Sequence, residues 1–101
     1  MRYIEVKPGE KAKIKTKKEF NWETITEAVG GVFSALYLHD IEETYILYCA
    51  DDFRGLEPNI QPSGAPTICG TVIITKHDGH GGDVSLTMEE ARNLCKEIDG
   101  E

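Results

Sequence analysis

The chain has 101 residues, which fits one domain with one modest core, and its 40% hydrophobic and 29% charged residues are ordinary for a globular protein. Eighteen acidic against eleven basic residues leave a net charge of −7, which argues against direct binding of phosphate backbones by the whole domain. No apolar run approaches the ~20 residues of a membrane span, and the N-terminus alternates with charge where a signal peptide would be continuously apolar, so a cytoplasmic setting is expected.

Residues 2–7 alternate, with Tyr3, Glu5 and Lys7 on one side and Arg2, Ile4 and Val6 on the other, which is strand spacing. Pro8-Gly9 signals a turn. Residues 11–17 alternate more strictly, with Ala12 and Ile14 between Lys11, Lys13 and Lys15. Lysines in this pattern mark an edge strand guarded against edge-to-edge pairing. A hairpin through Pro8-Gly9-Glu10 is expected.

Asn21 is placed to cap a first helix over residues 22–29, with Phe20 and Ile25 at the two ends of a hydrophobic staple. Trp22, Ile25 and Val29 fall on one helical face, and Gly30-Gly31 stops the helix. Residues 32–39 and 44–50 read as strands joined by the acidic Asp40-Ile41-Glu42-Glu43, and Tyr45-Ile46-Leu47-Tyr48-Cys49 suits a central strand. Residues 51–55 read as a turn. Residues 56–65, with two prolines and a glycine, read as a loop longer than most connections.

Residues 66–76 read as the strongest strand, with Gly70 marking a bulge or a close backbone approach. Residues 77–82 form a glycine-rich hairpin turn and 83–85 a short return strand. Thr87 and Glu90 make a capping box for a second helix, whose stripe is Met88, Ala91, Leu94, Cys95 and Ile98. The order β-β-α-β-β-loop-β-β-α predicts one α+β domain over residues 1–101. Its mostly antiparallel sheet would have five or six strands, with two helices and a helix on at least one face.

Sites are sparse. Cys49, Cys69 and Cys95 lack metal or redox spacing and read as small buried hydrophobes. His77, Asp78, His80 and Asp83 crowd into seven residues, but the calcium-loop pattern is absent and turn chemistry accounts for them, so no metal is assigned. No nucleophile elbow, phosphate loop or cofactor motif occurs, and Glu89-Glu90 is explained by the N-terminal end of the helix dipole. A non-enzymatic protein without cofactors is expected.

The segments Glu27-Ala28-Val29-Gly30-Gly31, Leu47-Tyr48-Cys49, Pro58-Asn59, residues 68–74, Asp83 and Ser85-Leu86-Thr87 have an informative order and spacing. Together they resemble a family of short domains of unknown function, of the 3846 type, across roughly residues 20–95. The lysine-rich start and the Gln61-Pro62-Ser63-Gly64-Ala65 loop depart from it. The resemblance implies no activity. It implies a setting in phages, plasmids and integrated elements of bacteria, where small acidic proteins often inhibit host defence, anti-CRISPR proteins among them.

The charge is unevenly spread: seven basic against two acidic residues up to Lys18, and four against sixteen after it, net +5 and −12. The expected contact residues for a host protein or nucleoprotein with a basic surface, such as a Cas effector, are Asp40, Glu42, Glu43, Asp51, Asp52 and Glu57. They flank the strand at 44–50, at opposite ends unless the chain bends. Plain solvation is their alternative account. A second functional class is a sponge for a nucleotide-like signal, with Asn59, Gln61, Thr71 and Asp83 as polar contacts. A third is a regulatory or assembly domain that forms a homodimer through an exposed edge strand.

Overall fold

The computed structural model describes residues 1–39, 44–61, 67–79 and 82–100. The elements are β1 (Arg2–Val6), β2 (Lys13–Thr16), α1 (Trp22–Val29), β3 (Phe33–His39), β4 (Thr44–Ala50), β5 (Val72–His77), β6 (Asp83–Val84) and α2 (Met88–Asp99). The sheet runs β2-β1-β5-β4-β3, with each neighbouring pair antiparallel. β6 pairs with the last residues of β5, in line with β1 along the same side. This is the α+β architecture with a mostly antiparallel sheet and two helices that the residue pattern predicts.

Strand periodicity explains the layers. Ile4, Val6, Leu47, Cys49, Val72 and Ile74 point to one face of the sheet, where Leu86 and Ala91 join them and Leu94, Cys95 and Ile98 of α2 pack against them. Tyr3, Ile46, Tyr48 and Ile73 point to the other face, against Ile25 and Val29 of α1. The helices therefore cover opposite faces, and β4 and β5 are buried on both. Each fully buried aliphatic side chain contributes roughly 1.5–3 kcal/mol of transfer free energy, so Leu47, Val72, Ile73 and Ile74 carry much of the fold.

Local chemistry sets the ends of both helices. Asn21 accepts from the backbone N–H groups of Glu23 and Thr24, and the Thr24 hydroxyl accepts from the Asn21 N–H. Gly30 adopts the left-handed conformation (φ 86°), and the N–H groups of Gly30 and Gly31 both reach the Thr26 carbonyl. Thr87 and Glu90 form the expected capping box of α2. Arg2 ties the approach to α2 onto β1, through Leu86 N–H to the Arg2 carbonyl and Arg2 Nη1 to the Leu86 carbonyl, each 3.0 Å.

Four expectations need correction. The run at 66–76 is not one strand, because β5 begins only at Val72. Gly70 sits at φ 85°, which no extended strand accommodates, and residues 58–60 pair with 68–70 instead. The long segment from 56 is thus pinned at its start, by Asn59 N–H to the Ile68 carbonyl, Ile68 N–H to the Ile60 carbonyl and Gly70 N–H to the Glu57 carbonyl. Residues 62–66 lie outside the described residues. Trp22 does not join Ile25 and Val29 in the core, since Phe20 packs there against Tyr3 with ring centroids 4.9 Å apart and leaves Trp22 65% exposed. Met88, in the first turn of α2, is likewise exposed, and Cys69 and Cys95 are half-buried where full burial was expected.

Candidate functional site

The acidic residues expected to contact a partner divide into three groups. Asp40, Glu42 and Glu43 lie outside the described residues. Asp51 and Asp52 follow the C-terminal end of β4, a seven-residue strand whose ends stand roughly 20 Å apart. They are exposed, but each has a partner. The Ser34 hydroxyl donates to Asp51, and Arg54 grips Asp52 with Nη2 at 2.6 Å and Nε at 2.9 Å. Arg54 holds the Asp52 carboxyl below the usual carboxylate range. Glu57 is exposed on the segment that pairs with Gly70.

The residues proposed to hold a small ligand are not gathered. Asn59 is spent on structure, its Nδ2 donating to the carbonyls of Val6 (2.8 Å) and Gly70 (2.7 Å). Thr71 precedes β5, whereas Asp83 pairs with His77 at its far end. Gln61 is exposed and has its own contact. Asn59 does line an open cleft of about 350 Å³, together with Gly9, Glu10, Lys11, Ile60 and Asp99. The Asp99 carboxylate there accepts from the Ala12 N–H at 3.0 Å. Neither Thr71 nor Asp83 lines that cleft.

Asp83 instead anchors a partly buried polar tie. Its carboxylate accepts from the Tyr48 hydroxyl at 2.7 and 2.9 Å and from the Thr75 hydroxyl at 2.6 Å. This joins β6, β4 and β5 on the α1 side of the sheet. Burial, and then the bond to Asp83, push the Tyr48 phenol well above its ordinary range. The group keeps its proton near neutrality and serves as a donor, not as a base. Burial likewise pushes up the Cys49 and Cys95 thiols, the reverse of what a nucleophilic thiolate needs. Of the crowded hairpin residues, Asp78 accepts from the Gly82 N–H at 2.9 Å and His77 Nδ1 from the Gly79 N–H at 3.0 Å, while His80 lies outside the described residues. Among the described residues no cluster of three metal-binding side chains forms.

The outer face of α1 is more suggestive. Trp22, Glu23 and Glu27 are all exposed, and Glu19 is exposed just before the cap. Glu23 and Glu27 stand four residues apart, a like-charge spacing that costs a helix a few tenths of a kcal/mol. The last turn carries no basic residue to offset Glu27. An indole left in solvent is uncommon, and tryptophan is enriched at the centres of binding surfaces. The cue available in the sequence was the pairing of Phe20 with Trp22: two aromatics flank one cap, and a short helix has room for only one of them beneath it.

Residues 1–99 match the family described as Domain of unknown function (DUF3846). The chain belongs to that family. The match spans the N-terminal hairpin and both helices, so the lysine-rich start lies within the family's extent. No curated protein matches the chain. No solved structure matches it either.

Proposed function

We propose that this DUF3846 domain is a non-enzymatic binding protein of a phage or other mobile element. In this reading it inhibits a host defence complex, in the manner of an anti-CRISPR protein, by occupying a basic, nucleic-acid-binding surface. The single observation that carries the reading is the exposed Trp22 at the start of a helix whose Glu23 and Glu27 are also exposed and whose last turn carries no basic residue. Arginine and lysine engage such a surface in two ways at once, through the carboxylates and over the indole face. The net −12 after Lys18 adds long-range attraction toward a basic partner. The mobile-element setting rests on the family resemblance alone.

The test is affinity capture from a bacterial lysate at low salt with the wild-type domain and with two variants, Trp22→Ala/Glu23→Lys/Glu27→Lys and Asp51→Lys/Asp52→Lys. The expected outcome is capture of a nucleic-acid-binding protein that added DNA displaces, salt weakens and the α1 variant loses. The same proteins retained equally by the α1 variant, or retained without regard to salt, would defeat the reading. Trp22→Ala alone should leave stability within about 0.5 kcal/mol, so lost capture would report the surface and not unfolding.

A further inference from the structure

We propose that the outer edge of β3 is a homodimer interface, on which a second copy of this chain adds its own β3 antiparallel. Among the described residues β4 is the only strand beside β3, which ends the sheet. Its seven residues, Phe-Ser-Ala-Leu-Tyr-Leu-His, contain no Lys, Arg, Asp, Glu, Pro or Gly. An edge of that length and composition is an open template for another strand.

The hydrogen-bond register indicates what fits there. The Asp51 N–H bonds the Val32 carbonyl, so Val32 turns its backbone groups toward the β4 side. Antiparallel alternation then turns Ser34, Leu36 and Leu38 inward as well, and leaves Phe33, Ala35, Tyr37 and His39 with N–H and C=O directed outward. A two-fold pairing centred on Leu36 sets Phe33 against His39 of the second copy and Ala35 against its Tyr37. Every outward residue then meets an outward residue, in four pairs that each exchange two bonds. Side chains agree with this register. Ala35 is exposed and small, and it would lie beside a Tyr37 ring that is 54% exposed and braced edge-on by His77 at 5.4 Å. Each copy thus offers one small and one large residue in self-complementary positions, the condition for an isologous interface.

Charge along the edge does not oppose this occupant. Two copies that each carry −7 repel, and β3 is a stretch of surface where they meet without opposed carboxylates.

The experiment is sedimentation of the wild-type domain from about 1 µM to about 1 mM, a range that brackets weak to moderate self-association, at low and high salt. Two variants accompany it. Ala35→Pro removes an outward N–H without touching the β4 ladder, and Ala35→Lys puts a charge beside Tyr37 of the other copy. The expected result is a wild-type dimer that salt does not weaken, and variants that stay monomeric with an unchanged circular dichroism spectrum. A wild type that is monomeric throughout would overturn the proposal and leave the edge to a strand from another protein. Dimers that persist in both variants, or that dissolve as salt rises, would also overturn it. If Ala35→Pro does not fold, Ala35→Lys alone decides.

Discussion

β2 and β3 both end the sheet, and they treat solvent differently. β2 is four residues long, with Lys13 and Lys15 alternating along it and a salt bridge from Lys15 Nζ to Glu5 Oε1 at 3.4 Å tying it to β1. β3 is nearly twice as long and uncharged, with Tyr37 standing out from it. A lysine at an edge makes an approaching strand desolvate an ammonium group before any ladder bond forms, and β3 sets no such penalty. The contrast teaches that burial alone does not explain the surface of this domain. Among the described residues, the same chain guards one edge with lysines and leaves the other uncharged and without a neighbouring strand.

The largest effect should come from moving a proline by one residue along β3. Leu36→Pro removes an N–H that points to β4 and strains the central sheet, a loss on the order of 2–4 kcal/mol. Ala35→Pro removes one that points outward and should cost far less. Urea unfolding of the two variants measures the difference. Equal losses would mean that the outward parity assigned to β3 is wrong, and the comparison of edges would fail with it.

The guarded edge gives a smaller effect. Glu5 is buried while Lys15 is half-exposed, so Lys15→Met takes the ion-pair partner from a buried carboxylate and leaves Lys13 as its cross-strand neighbour. Discounted for the exposure of Lys15, the expected loss is about 1–2 kcal/mol. The double variant Glu5→Gln/Lys15→Met should recover most of it. No recovery would show that Lys15 acts through its packing and not through its charge.

How much of this was legible in advance follows the range of the interactions. Both helices were legible because their signals are local: Asn21 and Gly30-Gly31 bound one, and Thr87 with Glu90 opens the other. β4 was legible from its dense aromatic and β-branched run. Gly70 was legible as a close approach, since a Cβ there would meet Leu56 Cδ1 at 2.9 Å, but the late start of β5 was not, because an apolar run that packs as irregular backbone has the same composition as one that packs as a strand. Trp22 was misplaced because helical angle alone ignores Phe20, which packs against Tyr3 from just before the cap. The open edge was invisible for a deeper reason. β3 is the third strand in the chain but the last in the sheet, and strand order is a property of the whole fold. Tyr48 and Asp83 are 35 residues apart, and no local pattern announces their bond.

That bond offers the finest test, because it lies in the sheet that joins the two edges. Tyr48 is directly opposite Ala35 in the β3–β4 register, so its tie to Asp83 braces the strand behind the open edge. Tyr48→Phe keeps the ring packed edge-on against Phe33 and removes only the hydroxyl. The expected loss near neutral pH is about 1 kcal/mol, since Asp83 keeps its bond from Thr75. The pH dependence has a definite sign. The folded phenol holds its proton above the value of about 10 at which the unfolded chain releases it, through burial first and the Asp83 bond second. The contribution of Tyr48 is therefore fully present below pH ~10 and declines as pH rises past it, because the unfolded state gains a phenolate that the fold does not tolerate. Subtracting the urea-unfolding profile of Tyr48→Phe from that of wild type cancels the other tyrosines. The difference should be flat through neutrality and shrink above pH ~10. A difference that grows with pH would mean that the hydroxyl ionises more readily in the fold than outside it, and that β4 is not held to β6 by a phenol donating to a carboxylate.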